Sequence, residues 1–244
     1  MPDNPYGIES MWMHGDIVIK SVAVLLLVMS IASWYVILTK ALQLWLYRSA
    51  SLAAGQRFWD TASLQEGIGV LGKNNPFQHL AVSGAEAMRH HAAHKGHLHD
   101  QLSISDWVTL CLRQSIDDAS SRLQSGMAVL ASVGSTAPFI GLFGTVWGIY
   151  HALVAIGTSG QASIDKVAGP VGEALIMTAF GLAVAIPASF GYNALVRSNK
   201  NILTRLNKFG FDLHALFVTG ARTGAETQNL AIPTDLRLGV VKEA

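Results

Sequence analysis

Three long apolar stretches restrict what this chain can fold into. The first is Ser21 to Thr39, the second lies within Leu123 to Ile164, and the third runs from about Ala168 to Val196. The 19 residues of the first stretch would rise about 28 Å as a helix, close to the ~30 Å hydrocarbon core of a bilayer. We therefore predict an all-α membrane protein with three transmembrane helices. Their predicted limits are 17–40, 127–156 and 168–196.

The composition agrees with a membrane protein. Hydrophobic residues make up 50% of the chain and charged residues only 14%, against about 25% charged in an ordinary soluble domain. The net charge of +1 gives no electrostatic reason to expect a nucleic-acid partner. Cys111 is the single cysteine, which excludes an intrachain disulfide and a cysteine-based metal site.

The distribution of Lys and Arg predicts the orientation. Eight of these residues lie between the first and second stretches, and seven follow the third, whereas only Lys20 and Lys166 lie elsewhere. Basic loops are retained in the cytoplasm. We therefore expect 41–126 and 197–244 in the cytoplasm, and 1–16 and the loop 157–167 in the periplasm.

Helix start signals indicate that the long loop 41–126 is helical. Ser63 with Glu66 fits a capping box, Asn75 is followed by Pro76, and Ser103 with Asp106 is a third start signal. From Ser103 to about Ile156 only glycines and Pro138 interrupt, so we expect a helix that enters the membrane without a break. Apolar residues at helical spacing also predict that the third helix continues past the membrane. They are Ile202, Leu206, Phe209, Leu213, Leu216 and Phe217.

Glu173 is the only formal charge in the third stretch. An acidic side chain at the centre of a membrane helix costs roughly 2.5–3.5 kcal/mol, so such a residue is a functional candidate. A buried carboxylate is suited to handling protons or cations. The alternative is that Glu173 lies near the lipid headgroups and only marks the start of a helix.

Small residues recur along the second stretch. Gly134, Gly141 and Gly148 are spaced by seven residues, and Gly144 forms a GxxxG pair with Gly148. Small residues at such spacings let helix backbones approach closely in lipid. They can serve packing inside one chain, or they can join several copies into an oligomer.

Thr145 and Thr178 are polar positions within the second and third stretches. A membrane threonine often donates its hydroxyl to its own i−3 or i−4 carbonyl. The alternative is that both line a passage beside Glu173. Thr178 lies five residues from Glu173, about 140° around an ideal helix, so the two would flank a wide face.

Histidines and basic residues supply weaker signals. Five histidines crowd the segment from His90 to His99, but Gly96 interrupts their helical face and no carboxylate cluster completes a metal site, so we expect no metal. His151 is a candidate relay residue, although we favour a place at the membrane interface. A basic cluster past the third stretch can bind anionic lipid headgroups or anchor the helix. It consists of Arg197, Lys200, Arg205 and Lys208.

Three segments of the sequence resemble the MotA/TolQ/ExbB proton-channel family. They are Gly141-Leu-Phe-Gly-Thr-Val-Trp-Gly-Ile149, Gly172-Glu-Ala-Leu175 and the run that ends at Pro187. The resemblance covers essentially the whole chain. Within the family, His14 to Lys20 is similar to the ExbB branch, and TolQ is the alternative. MotA fits less well because it has a fourth span.

The resemblance implies an inner-membrane pentamer that encloses helices of an ExbD-type partner carrying a membrane Asp. It also implies that proton flow drives a TonB-type protein, which powers the uptake of iron-siderophores and vitamin B12. The family's pore-lining positions match Glu173, Thr145 and Thr178, and its pattern includes Pro138 and Pro187. No cofactor is implied.

Two other functions compete with a proton-driven motor. An intramembrane enzyme is disfavoured because the chain has neither His-Glu-x-x-His nor Gly-x-Ser-x-Gly, and because its membrane stretches hold no acidic pair. A scaffold that assembles partners without conducting protons is the other possibility, and it predicts that loss of Glu173 is tolerated.

Overall fold

The computed structural model describes Trp12 and residues 16–93, 103–159 and 164–220. This part of the chain forms six helices with short connections and contains no strand. The helices are α1 (Ile17–Gly55), α2 (Leu64–Val70), α3 (Pro76–Ala93), α4 (Ile104–Gln124), α5 (Met127–Ser159) and α6 (Ile164–Thr219).

Among the described residues, three regions are long and apolar enough to cross a membrane. They lie in Ile17–Gly55, Ile104–Thr158 and Gly169–Thr219, with mean hydropathies of 2.3, 1.7 and 1.9 over their most apolar windows. These regions contain the three apolar stretches of the sequence. The prediction of an all-α membrane protein with three spans is therefore confirmed.

The predicted helix starts are confirmed by their caps. Ser63 Oγ accepts a hydrogen bond from the Glu66 backbone N–H at 3.3 Å and caps α2. Asn75 Oδ1 accepts from the Gln78 backbone N–H at 3.0 Å, directly before Pro76 begins α3. Before α4, Ser103 Oγ accepts from the Asp106 backbone N–H at 3.1 Å. Each side chain satisfies a donor that the first turn of a helix leaves unpaired.

The expectation of an unbroken helix from Ser103 to about Ile156 is wrong. Helix α4 ends at Gln124 and α5 begins at Met127, because Gly126 adopts a left-handed conformation with φ of 82°. Glycine takes this conformation without the steric cost that a side chain brings. The carbonyl of Leu123 in the last turn of α4 accepts a hydrogen bond from Asn199 Nδ2 at 2.9 Å, which helps to cap the helix end.

Two of the long helices continue well past their apolar stretches. Helix α6 has 56 residues and runs on to Thr219, as the spacing of its apolar residues predicts. Helix α1 has 39 residues and runs past Lys40 to Gly55, an extension that the hydropathy pattern alone did not indicate. No glycine or proline interrupts 41–54, so nothing local ends the helix before Gly55.

The described residues divide into two compact units. One, here the membrane unit, comprises the chain up to Trp45 and Leu123–Lys200, and the second unit comprises Leu46–Arg122 and the chain from Asn201. The core of the membrane unit combines side chains of α1, α5 and α6. They are Ile19, Val22, Leu26, Val133, Ala137, Met177, Ala185 and Ala188.

The second unit has its own core. Its fully buried side chains come from α3, α4 and the end of α6, and they include Phe77, Leu80, Val108, Leu206 and Leu213. Phe58 meets Phe209 edge-on, with ring centroids 5.0 Å apart. The apolar residues that predict the extension of α6 are thus those that bury it in this unit.

Helices α5 and α6 run antiparallel in the membrane unit and approach most closely at two glycines. A Cβ added at Gly141 would lie 2.6 Å from the Met177 carbonyl oxygen and 3.0 Å from the Gly181 Cα. One added at Gly181 would lie 2.7 Å from the Ala137 carbonyl oxygen. Only glycine fits at either position without moving a backbone, because real Cβ atoms do not approach this closely.

The remaining glycines of α5 extend this contact in both directions. A Cβ at Gly148 would lie 2.8 Å from Ala174 Cβ, and one at Gly134 would lie 2.5 Å from Ser189 Oγ. Gly144 faces Met177 of α6 and Val22 of α1. The seven-residue stripe of α5 is therefore occupied by α6 of the same chain and is not free to join copies.

Replacing Gly141 by Val is expected to destabilise the membrane unit by about 1–3 kcal/mol or more, because the new side chain overlaps the backbone of α6. The matched control is Gly157→Ala on the same helix, where an added Cβ meets nothing within 4 Å. Thermal unfolding of the purified protein in detergent measures both variants. Equal melting temperatures for the two variants would contradict the close contact.

Candidate functional site

Thr145 joins α5 to α6 at the centre of their contact. Its side chain is buried, with 8% exposed, and its Oγ1 lies 3.2 Å from its own i−4 carbonyl at Gly141. The same oxygen lies 3.0 Å from the Ala174 carbonyl of α6. Thr145 therefore makes the local bond that is usual for a membrane threonine and also reaches the neighbouring helix.

Thr178 supplies the other half of this connection. Its hydroxyl is hydrogen-bonded to Thr145 Oγ1. A hydroxyl has one proton and two acceptor lone pairs, so Thr145 donates to one carbonyl at a time while it accepts from Thr178. The structure thus brings Thr145 and Thr178 together as a bonded pair between two helices.

Glu173 lies next to Ala174, which is fully buried against Gly148. Its own side chain is half-buried. Helical spacing puts it on the same flank of α6 as Phe180 and Val184, seven and eleven residues later, which line an apolar groove with residues of α1. Glu173 therefore lies at the edge of the α5–α6 contact, on the side towards α1.

Pro138 and Pro187 lie inside α5 and α6. A proline has no backbone N–H, so the carbonyls four residues earlier, of Gly134 and Ala183, lose their usual donors within the helix. Gly134 is also the residue that packs on Ser189 of α6. The interrupted turn of α5 is therefore held against the neighbouring helix.

A polar cluster that sequence reasoning did not assemble lies at the start of α1. Asp16 Oδ1 accepts from the Ile17 backbone N–H at 2.7 Å, and Oδ2 accepts from Trp147 Nε1 at 3.1 Å. His151 Nε2 lies 3.9 Å from the same Oδ2, and His151 Nδ1 lies 3.2 Å from the Trp147 carbonyl oxygen. One carboxylate therefore caps α1 and ties it to α5.

The environment of Asp16 favours its charged form. The hydrogen bond from the Trp147 indole lowers the pKa of the Asp16 carboxyl, with further lowering by the Ile17 N–H and by the positive charges of His151 and Lys20. The sequence indicates the capping role of Asp16, because an Asp before an apolar helix is a typical N-cap. It does not show the partner, because Trp147 is 131 residues away.

The other candidates of the sequence analysis are the basic cluster and the histidines. Arg205 of the basic cluster donates to Ser51 Oγ at 3.1 Å within the second unit. His90 stacks on Trp107 with ring centroids 5.9 Å apart, while His94, His97 and His99 lie outside the described residues. Among the residues that the structure describes, no three potential metal ligands come together.

Comparison with known proteins places these features in one family. The sequence model of the MotA/TolQ/ExbB proton channel family matches residues 75–208. The chain is 44% identical over 215 residues to the "Biopolymer transport protein ExbB" of Xanthomonas campestris pv. campestris, which covers 85% of each chain. It is 42% identical over 202 residues to the protein of the same name in Neisseria gonorrhoeae, which covers 82% of this chain and 92% of that one.

A second kind of relative is more distant. The chain is 30% identical over 223 residues to the "Tol-Pal system protein TolQ" of Pseudomonas aeruginosa, which covers 88% of this chain and 96% of that one. Together with the three membrane helices and the family match over α3 to α6, these similarities lead to one conclusion: the chain belongs to the MotA/TolQ/ExbB proton channel family.

Proposed function

We propose that this chain is an ExbB-type subunit of an inner-membrane motor driven by proton flow. Several copies, five by resemblance to the family, surround the membrane helix of an ExbD-like partner that carries an Asp. The motor acts on a TonB-like protein and thereby powers outer-membrane uptake of iron-siderophores and vitamin B12. The chain itself catalyses no covalent reaction and needs no cofactor.

The similarities favour this branch over its neighbour. Six proteins named ExbB are 35–44% identical to the chain, whereas two named TolQ are 30% and 33% identical. The Lys and Arg distribution supports an orientation with 1–16 and 157–167 in the periplasm and with 41–126 and 197–244 in the cytoplasm. In this orientation the start of α1 lies at the periplasmic face.

Glu173 is the observation that carries the proposal. It is the only formal charge in an otherwise apolar stretch, and it lies half-buried beside the contact between Gly148 and Ala174. Copies arranged around a common axis would bring several such carboxylates together. Close carboxylates in a low dielectric do not all remain ionised, so a ring of them takes up and releases protons.

The energy for work comes from the membrane potential, which supplies about 2.3 kcal/mol per charge for each 100 mV. Thr145 and Thr178 lie further along the same α5–α6 contact, and their hydroxyl groups accept and donate hydrogen bonds there. In this proposal they hold α5 and α6 in the register that Glu173 needs and line the passage beside it.

Replacing Glu173 by Ala is expected to abolish uptake of an iron-siderophore while the complex still assembles, because the protonatable group is lost and little packing changes. The matched control is Glu86→Gln, which neutralises an exposed carboxylate of α3 and is expected to leave uptake unchanged. Transport of labelled siderophore and native mass measurement of the complex report the two effects. Normal uptake by Glu173→Ala would favour a non-conducting scaffold.

Replacing Thr145 by Val removes the hydroxyl that α5 and α6 share. We expect a loss of about 1–3 kcal/mol in stability, because buried hydrogen-bonding groups lose their partner, together with slower proton flux. Thr145→Ser keeps the hydroxyl and is expected to recover most of both. Thermal unfolding and proton flux in proteoliposomes are measured for both variants. If Thr145→Ser is as impaired as Thr145→Val, the role of the hydroxyl is contradicted.

The physiological partner separates the two closest family branches. Affinity purification of the chain from its native membrane is expected to recover ExbD-like and TonB-like proteins. Recovery of TolR-like and TolA-like proteins instead would assign the chain to the TolQ branch. In that case the motor acts on an envelope protein of the TolA type. The proton-passing role of Glu173 is common to both outcomes.

A further inference from the structure

His151 and Asp16 form an ionisable pair that is open to water. Their side chains are 47% and 42% exposed, and His151 Nε2 lies 3.9 Å from Asp16 Oδ2. Histidine is the side chain whose charge ordinarily changes between pH 5 and 8. Both side chains can therefore exchange protons with the aqueous medium directly.

The hydrogen bonds of the ring determine which nitrogen takes the proton. The Trp147 carbonyl oxygen accepts but does not donate, so His151 Nδ1 at 3.2 Å carries a hydrogen and donates it. The neutral ring then has its free lone pair on Nε2. This is the nitrogen that faces Asp16, so an arriving proton binds on the side of the carboxylate.

The register of α5 and α6 brings His151 to nearly the level of Glu173. Gly148 and Ala174 are at the same height, because a Cβ at Gly148 would lie 2.8 Å from Ala174 Cβ. His151 is three residues from Gly148 towards the start of α1, and Glu173 is one residue from Ala174 in the same direction. At 1.5 Å per residue, the two differ by about 3 Å along the helix axes.

Both residues also lie on the side of the α5–α6 pair that faces α1. His151 contacts Asp16 at the start of α1, and Glu173 shares its flank of α6 with Phe180, which lines the groove with α1. Two further ionisable groups lie close to this pair: Lys20 on α1, whose charge acts on Asp16, and Tyr150 on α5, whose ring meets the His151 ring edge-on.

We propose that His151, positioned by Asp16, collects protons from the periplasmic medium and supplies them to Glu173. This inference rests on the proposed proton-passing role of Glu173. A proton binds Nε2 and forms an imidazolium beside the Asp16 carboxylate. It then passes through water to a carboxylate oxygen of Glu173, which leaves the imidazole neutral and ready to bind again. His151 is in this account a relay residue at the entrance of the pathway.

The test uses the full chain assembled with its single-span partner in liposomes, with the face that holds Asp16 towards the medium. Proton flux is followed with a dye inside the vesicles while the outer pH is stepped from about 5 to 8, the range in which histidine titrates. The unmodified complex is expected to show a sigmoidal dependence on outer pH. His151→Gln is expected to flatten this profile and to lower flux several-fold at the alkaline end.

The matched control is His214→Gln, which removes a histidine of the second unit that is hydrogen-bonded to Ser105. It is expected to keep the original pH profile. A second variant, Asp16→Asn, keeps the shape and the capping ability of the side chain but removes its charge. It is expected to flatten the profile as His151→Gln does, because the ring loses the carboxylate that positions it.

The failure of this inference and the failure of the proposed function give different results. If Glu173→Ala blocks flux while His151→Gln assembles and keeps the original pH profile, His151 is not the relay and the role of Glu173 stands. If Glu173→Ala conducts normally, the proposed function itself is wrong. Should His151→Gln fail to assemble, the pH profile of Asp16→Asn decides, and an unchanged profile overturns the inference.

Discussion

The approach of α5 to α6 at Gly141 and Gly181 is the constraint on which the membrane unit depends. Their backbones meet at distances that leave no room for a Cβ on either residue. Once this contact is made, the rest of the register follows, since Thr145 then meets Thr178, and Gly148 then meets Ala174. Helices in lipid gain little from hydrophobic burial, so close van der Waals packing and interhelical hydrogen bonds must hold them together.

The sequence predicts the membrane helices and their caps because those signals are local. Nineteen apolar residues suffice to indicate a span, and Ser63 or Asn75 cap helices within three residues of their own position. The break at Gly126 is different, because glycines at 134, 141 and 148 are tolerated within a helix. One of the bonds at the break comes from Asn199, 76 residues further along the chain, which a local pattern cannot reveal.

The candidate site also combines local features that the sequence indicates with long-range contacts that it does not. A single carboxylate in the third apolar stretch is visible in the sequence, and so are the two threonines. The spacing of small residues indicates a close helix contact but does not say which helix fills it, and the structure assigns that place to α6 of the same chain. The bond between Asp16 and Trp147 joins residues 131 apart, so the polar cluster at the start of α1 emerges only when α1 packs on α5.

Two carboxylates near the same end of the membrane unit thus have different surroundings. Asp16 is exposed, accepts two hydrogen bonds and faces a histidine, whereas Glu173 is half-buried beside the helix contact. In the proposed relay, His151 beside the exposed Asp16 exchanges protons with water, and the more shielded Glu173 receives them. The difference arises from packing, since both side chains carry the same functional group.

The most direct measurement is an electron cryo-microscopy structure of the assembled protein in lipid nanodiscs. The account predicts that the Glu173 side chains of neighbouring copies face one enclosed passage shared by the copies, with Thr145 and Thr178 beside them. Glu173 side chains that instead face the acyl chains, or an assembly with no passage between its copies, would contradict it.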